Sequence, residues 1–528
     1  MKKVYLLAAV AMMAAQLQAQ NVILDTYVGA QLATEDLNGT ARYVGMGGAM
    51  EALGADLSTM STNPAGIGLF RRAQVAGSFG LVSQSEGKSF QDGSKTNASF
   101  DQLGAVFSTR TGMHSYVNFG VNFHKSRNFN HVLSAAARSI NGSSQNHQTY
   151  MNLLSNSGAD GKIIDDWRVS QVDELNYKLL DVYDDEGKYV ETRYIGSDSY
   201  NFNRAQTGYI GEYDFNLSGN INNRVYLGVT VGVKDVHYNS YTEYSEVLKP
   251  LIDDITYVGM RDDHKITGHG FEVKVGAIVR PVEESPFRLG VSVSTPTFYK
   301  LTTSNVSSIH DVKGIQKEVR SDADFRFNTP WKFGLSAGHT IGNYLALGAS
   351  YEYADYSTCD MRTISGSGYD WDGYYYEKSS TETTMKRHTE RTLRGVSTLK
   401  VGAEYKVDPM ISVRVGYNYV SPMYKESGVR DQTLLSSGTY MASTTDYTNW
   451  KATNRLTAGV GFSFDQFKID LAYQYSMRSG DFYPYMNGVS AQYVSDETGK
   501  EVTLANQASA VSVKDNRHQL LCTLSYSF

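Results

Sequence analysis

The last nine residues constrain the fold most, because apolar and polar side chains alternate along them. Leu520, Cys522, Leu524, Tyr526 and Phe528 alternate with Leu521, Thr523, Ser525 and Ser527. A period of two places the two sets on opposite faces of a β-strand. In a bilayer every backbone N–H and C=O must be paired within the protein. Strands with one apolar face must therefore close into a barrel with that face outside.

The same alternation recurs upstream, with apolar residues at every second position of 225–233, 411–419 and 467–475. A soluble β-sandwich alternates as well. However, these segments run to about ten residues or more, whereas strands of soluble proteins average about five or six. Their length favours strands that cross a membrane.

Fourteen such strands can be placed, at 73–83, 97–109, 115–130, 206–221, 224–240, 266–281, 286–303, 319–341, 344–357, 395–406, 410–420, 453–464, 466–477 and 515–528. Their links alternate between short turns and long polar insertions, the latter at 131–205, 358–394, 421–452 and 478–514. This asymmetry is typical of outer-membrane barrels. The sequence therefore predicts an all-β fold, a 14-stranded antiparallel transmembrane β-barrel over residues 73–528. Because Pro330 interrupts 319–341, that segment is either one bent strand or two elements.

The N-terminal residues 1–19 have the pattern of a secretory signal peptide. Two lysines precede an apolar stretch from Val4 to Ala15, and small and polar residues follow. Beyond it no run of about 18 apolar residues occurs, and the mean hydropathy is −0.37, which argues against membrane-spanning helices. The net charge of −6, with scattered Lys and Arg, argues against a nucleic-acid partner. We therefore expect the mature chain in the outer membrane of a Gram-negative bacterium, surrounded by outer-membrane lipid.

Residues 20–72 do not alternate, and four glycines lie between positions 45 and 54. Small residues permit close packing in a confined space. Asn63 and Pro64, followed by Gly66, are a turn signal. Taken alone, this composition is also that of a loop leading into the first strand.

Asn63, Pro64 and Ala65, just before a fourteen-strand barrel, resemble the FadL/TodX family of outer-membrane channels for hydrophobic molecules. In that family the tripeptide ends a segment that folds into the lumen as a plug, or hatch. The segments 288–296 and 328–335 are also similar to recurring family segments. The resemblance implies a hatch over residues 20–72 and passive transport of long-chain fatty acids or aromatic hydrocarbons. It further implies capture by extracellular loops, binding in the lumen, and lateral release gated by the hatch.

The implied lateral exit is a gap made by a kink in the third strand, where Gly120 is the candidate residue. The same glycine would also make room for the hatch. For capture, apolar stripes in the loop 131–205 are spaced as short amphipathic helices. Leu133, Leu175, Leu179 and Leu180 are the candidate surface, although such stripes also pack loops onto their own barrel.

Several inward-facing strand positions carry charges, among them Lys234, Lys274 and Arg414. We expect these side chains to form structural networks in the lumen rather than ligand sites.

No zinc-ligand spacing, phosphate loop or nucleophile motif occurs, so we predict no enzyme activity, no metal and no cofactor. The terminal strand, with Leu524, Tyr526 and Phe528, resembles the signal that the barrel assembly machinery reads.

Two other functions remain open from the sequence. A structural or secretion-associated barrel would hold a protein partner. A haem-uptake receptor would use His124 and His131, which flank the long-loop end of the third strand. The chain is expected to be a monomer.

Overall fold

Antiparallel ladders run round the wall of the barrel and close it, because the first strand pairs with the last. This computed structural model describes residues 25–140, 142–146, 181–183, 189–192, 196–249, 256–311, 316–369, 371–373, 375–431, 444–487, 490–494 and 501–528. The closing ladder is unbroken from Gln74 opposite Ser527 to Gln84 opposite Arg517. In the described part of the chain fourteen strands form the wall, as predicted.

The strands, in chain order, are β1 Gln74–Gln84, β2 Thr96–Arg110, β3 Tyr116–Asn128, β4 His131–Ile140, β5 Asp181–Tyr183, β6 Tyr189–Thr192, β7 Ser197–Ile221, β8 Val225–Leu248, β9 Tyr257–Val279, β10 Arg288–Ser294, β11 Phe298–Asp311, β12 Gln316–Asn328, β13 Lys332–Ile341, β14 Leu345–Asp355, β15 Asp360–Tyr369, β16 Tyr375–Thr381, β17 Gly395–Lys406, β18 Ile411–Val420, β19 Tyr447–Phe464, β20 Phe467–Tyr483, β21 Ser490–Val494, β22 Glu501–Ala505 and β23 Val511–Ser527. The wall consists of β1, β2, β3, β7, β8, β9, β10, β13, β14, β17, β18, β19, β20 and β23. Strands β4, β11, β12 and β15 continue wall strands toward the long-loop end.

The helices are α1 Thr26–Ala33, α2 Ala41–Gly45 and α3 Thr383–Thr392, with short 3-10 helices at Leu57–Ser61, Pro64–Leu69 and Tyr356–Thr358. Among the described residues, no helix is long and apolar enough to cross a membrane.

Two wall segments are interrupted at prolines. Breaks lie at 295–297 and 329–331, and they contain Pro296 and Pro330. Proline has no N–H to donate to a ladder, so each strand ends before it and a new one begins after it. The segment 319–341 is thus two elements, and the prediction of a single strand over 286–303 is wrong for the same reason.

Apolar side chains cover the outside of the wall. On β8, Leu227, Val229, Val231 and Val233 are each 37–49% exposed. Exposed apolar residues occupy corresponding positions on the other strands, including Phe107, Phe119, Leu217, Val275, Leu335, Val415 and Leu524. So much exposed apolar surface is foreign to a soluble monomer. The barrel therefore crosses a membrane with this belt against lipid.

The segment 25–72, called the hatch below, lies inside the barrel. Its helix α1 bonds to α3 of the long insertion 358–394, whereas residues 41–72 fill the lower lumen, the end nearer the short turns. Polar residues cap each of its helices. Asp25 caps α1, accepting hydrogen bonds from the N–H groups of Tyr27 and Val28 at 2.9 Å. Thr40 caps α2, and Asp56 both caps the next 3-10 helix and accepts from Thr40 Oγ1 at 2.8 Å. Side-chain caps satisfy N–H groups that would otherwise be buried without partners.

A row of lumen-facing glycines forms a groove against which the hatch packs. Gly338 pairs with Gly348, Gly348 with Gly402, and Gly402 with Gly416, on the adjacent strands β13, β14, β17 and β18. A Cβ at any of the four would meet the hatch between residues 46 and 53, mostly at its backbone. Glycine lets the two backbones approach to a distance that a side chain would prevent.

Candidate functional site

The predicted tripeptide docks the hatch onto the wall. Asn63 is fully buried, and its Oδ1 accepts a hydrogen bond from the Ala65 N–H at 3.2 Å. The Pro64 carbonyl accepts hydrogen bonds from Ser218 Oγ at 2.8 Å and Asn216 Nδ2 at 3.4 Å on β7. Glycines on β8, β9 and β10 face the tripeptide: Gly228, Gly276 and Gly290. The tripeptide is a docking contact, and its part in gating stays a prediction.

Ion pairs clamp the hatch to the opposite wall. Arg42 donates to Glu404 through Nε at 2.8 Å and Nη2 at 2.9 Å, and Arg414 donates to the same carboxylate at 2.6 Å. Glu51 of the hatch accepts from Lys400 Nζ at 2.8 Å. Removing one partner of such a buried pair typically costs about 3–5 kcal/mol. These inward charges form structural networks, as the sequence suggested.

A cavity of about 320 Å³ lies in the lumen between the hatch and the long-loop end. Part of its wall is apolar or aromatic, with Val28, Phe129, Tyr238, Val396, Val420, Met423, Tyr424, Tyr447 and Trp450. The rest is charged, with nine cationic side chains, Arg127, Arg204, Lys332, Lys400, Arg430, Lys451, Arg455, Arg478 and Arg517, against six carboxylates, Asp25, Glu35, Asp36, Asp262, Glu352 and Asp446. The cavity thus offers an apolar surface beside a cationic one.

Glu35 of the hatch anchors one side of the cavity. Its carboxylate lies 2.6 Å from both Lys234 Nζ and Lys332 Nζ. Lys234 also lies 3.4 Å from Glu212, which Lys274 contacts as well. Burial alone would raise the pKa of Glu35, but Lys234 and Lys332 outweigh it and hold that pKa well below its usual range. The carboxylate is therefore ionised at neutral pH and tied to the wall.

The two candidate haem ligands, His124 and His131, face carboxylates. His124 is buried, with Nδ1 3.4 Å from Asp214 and Nε2 3.6 Å from Glu212. His131 lines the cavity, with Nε2 3.6 Å from Asp515 and its ring 6.0 Å from that of Trp450. Each imidazole thus has a carboxylate neighbour, which favours a structural polar contact over haem ligation.

His124, Glu212 and Asp214 lie close enough to share a metal ion. However, the ammonium group of Lys274 contacts Glu212 and lies 3.7 Å from Asp214. A lysine already supplies positive charge to these carboxylates, so the arrangement fits an ion-pair network better than a metal centre.

A smaller cavity of about 60 Å³ adjoins the first one, and the two share nine lining residues. The shared residues are Asp36, Leu37, Asn38, Arg127, Asn128, Thr453, Arg455, Arg478 and Arg517. Beyond them the smaller cavity reaches Asp101 on β2 and Lys125 on β3. It therefore leads from the lumen toward the wall between these two strands.

The ladder between β2 and β3 is incomplete at this place. It runs from Arg110 opposite Tyr116 up to Gln102 opposite His124, and residues 96–100 of β2 pair with β1 alone, while Asp101 has no partner in either ladder. Both strands bulge where the ladder stops, since the register shifts beside Asp101 on β2 and between Lys125 and Arg127 on β3. β-Bulges bend strands and end pairing. The wall consequently has a gap in its backbone hydrogen bonding between β2 and β3.

Polar side chains close this gap. Asn38 of the hatch donates through Nδ2 to Asp101 Oδ1 and to the Lys125 carbonyl, both at 3.0 Å. Lys125 Nζ donates to Ser99 Oγ at 2.8 Å. The upper end is bounded by Gln84, whose side chain exchanges hydrogen bonds with the backbone of Val132. The closure is made by side chains, which can change rotamer without breaking a strand ladder.

The gap is near Gly120 but not at it. Gly120 is paired on both sides, with Val106 and Asn216, and a Cβ there would meet Met60 of the hatch. This favours the alternative explanation, in which the glycine makes room for the hatch. The third strand is irregular further along, between Lys125 and the start of β4.

The predicted capture surface is only partly described. Leu133 is buried and lines the cavity, but it belongs to strand β4. The prediction of an amphipathic helix there is wrong, because these residues pair with β7. Leu175, Leu179 and Leu180 lie outside the described residues.

In the terminal strand, Leu524, Tyr526 and Phe528 point outward and are 39–60% exposed. The Phe528 N–H donates to the Ala73 carbonyl at 3.0 Å, next to the closing ladder. Recognition of these residues by the assembly machinery stays a prediction.

The sequence did not reveal the arginines of the smaller cavity or the gap beside them. The arginines come from β3, β19, β20 and β23, which are distant in sequence, and only the strand register brings them together. The available signal was one basic residue at an inward-facing position on each of three strands, namely Arg455, Arg478 and Arg517.

No protein-family model and no curated protein matches the chain. Among solved structures, a Pseudomonas aeruginosa FadL homologue is similar with a TM-score of 0.48 and 14% identity, over 94% of this chain and 100% of that one. The toluene transporter TbuX of Ralstonia pickettii gives 0.47 and 13%, over 93% and 99%. The toluene transporter TodX of Pseudomonas putida gives 0.46 and 14%, over 94% and 99%. At 13–14% identity and TM-scores below 0.5, the function of this chain has to be inferred from its own residues.

Proposed function

We propose that the chain is a monomeric, non-enzymatic outer-membrane transporter that lets hydrophobic small molecules, such as long-chain fatty acids or aromatic hydrocarbons, cross passively. The observation that carries the proposal is a luminal cavity continuous with a side-chain-closed gap in the wall. A channel for ions or sugars needs an axial, water-filled path, whereas here the hatch fills the lower lumen. A lateral gap suits a solute that partitions into lipid.

The cavity wall supports an apolar ligand. Tyr27 of the hatch stacks on Tyr424 with ring centroids 5.4 Å apart and lies 5.2 Å from the ring of Tyr447. Val28 and Phe129 continue this surface. Burying apolar area of a ligand on such a surface contributes about 25 cal/mol of favourable free energy per Å². The aromatic wall would hold the hydrocarbon part of a solute.

The exit is between β2 and β3. Outside the gap, Phe100 stacks on Phe123 with centroids 5.8 Å apart, so the opening would meet apolar surface and lipid. A solute moving from the larger cavity through the smaller one would reach Asn38 and Asp101 first. Rotation of these side chains would open the path without moving the docked part of the hatch.

The route is tested by bridging the gap. In a chain with Cys359→Ala and Cys522→Ala, cysteines replace Ser99 and Lys125, and a reversible bifunctional methanethiosulfonate reagent joins them. We expect uptake of radiolabelled oleate by cells expressing this variant to fall to the level of deletion cells when the bridge forms, and to recover on reduction.

The matched control carries Thr109→Cys and Val117→Cys, which are direct partners on the same two strands, well below the gap. A bridge there adds no closure, so uptake should not change. Undiminished uptake with the gap bridged would overturn the lateral route. Uptake no faster than in deletion cells for oleate and toluene alike would overturn transport itself.

A further inference from the structure

The smaller cavity has more positive than negative charge. It is lined by five cationic side chains, Lys125, Arg127, Arg455, Arg478 and Arg517, and by three carboxylates, Asp36, Asp101 and Asp515. Buried charges are stable only when they are paired or hydrated, because desolvation costs several kcal/mol per ion. The smaller cavity therefore has a surplus of positive charge that a bound anion would balance.

The ion pairs in this cluster show which arginine is left over. Asp515 accepts from Arg478 Nη2 at 2.7 Å and from Arg517 Nε at 2.9 Å. Asp36 accepts from Arg127 Nη1 at 2.8 Å. Among the described residues, no carboxylate forms an ion pair with Arg455, which donates through Nη1 to Asn418 Oδ1 at 2.8 Å. Arg455 also lines both cavities, so its remaining donors face the solute path.

Asp36 shows that the arginines of the smaller cavity bind a carboxylate. It lies on the hatch, and its second oxygen accepts from the Asn128 N–H at 2.9 Å. Burial alone would raise the pKa of Asp36, but Arg127 and Arg517 outweigh it and lower that pKa. The hatch thus supplies one carboxylate to arginines that the wall provides.

We propose that Arg455, together with Arg127, forms an oxyanion subsite for an amphipathic solute, and that the solute's anionic head competes there with Asp36. The inference rests on the proposed function, and it narrows the solute to one with an apolar body and a carboxylate or phosphonate-like head. Guanidinium groups bind such oxyanions through paired N–H donors. The aromatic wall of the larger cavity receives the apolar body.

Competition with Asp36 couples binding to the gap. Asp36 is two residues from Asn38, which bonds to both Asp101 and the Lys125 carbonyl across the gap. When an anion replaces Asp36 on Arg127, the segment Asp36–Asn38 loses one of its ties to β3 and keeps the hydrogen bond from the Asp36 N–H to the Ser126 carbonyl at 2.8 Å. Binding of the solute in the smaller cavity thereby weakens the side-chain closure of the gap between β2 and β3.

The test measures binding to the purified full-length protein in maltoside micelles by calorimetry, with dodecanoate, dodecylphosphonate and dodecanol as probes. Dodecanoate should bind more tightly than dodecanol, and Arg455→Gln should weaken dodecanoate binding at least about tenfold while leaving dodecanol unchanged. Asp36→Asn removes the competitor and should strengthen dodecanoate binding. A merely structural role of Asp36 would weaken it instead. Comparison of dodecanoate with dodecylphosphonate identifies the preferred head group.

The matched control is Arg204→Gln, which removes the same charge from the same cavity at a site where Asp446 pairs with both Nη atoms at 2.9 and 2.7 Å. It should affect dodecanoate less than Arg455→Gln does. Equal binding of dodecanoate and dodecanol, or equal loss in the two variants, overturns the subsite while leaving hydrophobic-solute binding intact. Binding of none of the probes counts against both proposals.

Discussion

At the residue scale, glycine decides where the hatch can lie. The row formed by Gly338, Gly348, Gly402 and Gly416 crosses four adjacent strands, and the hatch backbone rests in it. Glycine weakens a strand, so four in one row would be a poor choice for the wall alone. Their position is explained by the hatch, which needs a groove without side chains.

We therefore predict that Gly402→Val loosens the hatch without preventing barrel assembly. A Cβ at Gly402 would overlap the backbone of Met46, and overpacking of this kind typically costs about 1–3 kcal/mol. Since 1.4 kcal/mol is a factor of ten, protease cleavage within the hatch should rise by about tenfold, with heat-modifiable mobility retained. Gly219→Val is the control, because a Cβ there meets nothing within 4 Å. Equal cleavage of the two variants would contradict the prediction.

At the element scale, the connection between α1 and α2 is held by carboxylates. Glu35 bonds to lysines on one side of the lumen and Asp36 to Arg127 on the other. Both pKa values are lowered in the folded chain. A depressed pKa contributes stability that is present above the unfolded value, about 4, and is lost as pH falls through the folded value.

The connection should accordingly stay docked from pH 8 to about pH 5 and loosen progressively below about pH 4. A spin label at Gln31→Cys, in a chain without the natural cysteines, reports this as a gain in mobility. The variant Glu35→Gln with Asp36→Asn lacks both charges and should show mobility that does not change over this range. A parent and variant that respond alike to pH would show that other groups control docking.

At the scale of the whole molecule, period-two alternation and loop asymmetry predicted the closed fourteen-strand wall. These two patterns do not determine the pairing register between neighbouring strands. The gap depends on where the ladder between β2 and β3 stops, and the bulge at Asp101 has no signal in the alternation of β2. The anion cluster likewise needs Arg455, Arg478 and Arg517 at one height on separate strands. Pro330 was visible in the sequence, because proline acts through its own missing N–H.

The sealed lower lumen makes a last prediction about the intact barrel. The hatch between residues 41 and 67 is almost entirely buried although it lies inside a wide barrel, so the parent chain should conduct ions poorly in planar bilayers. Replacing Arg42 and Glu51 by alanine removes both clamps, Arg42 to Glu404 and Glu51 to Lys400. Breaking a buried ion pair typically costs about 3–5 kcal/mol. Even part of this loss should raise the open probability of the barrel at least about tenfold.

Arg224→Ala is the control for this measurement, since its pairing with Glu283 at 3.7 Å lies on the exposed turn side of the barrel. Its conductance should match the parent's. If the double variant also stays closed, the glycine groove and the Asn63–Pro64 docking contact hold the hatch without the ion pairs. The hatch would then be a fixed floor, and every solute that enters the cavity would have to leave between β2 and β3.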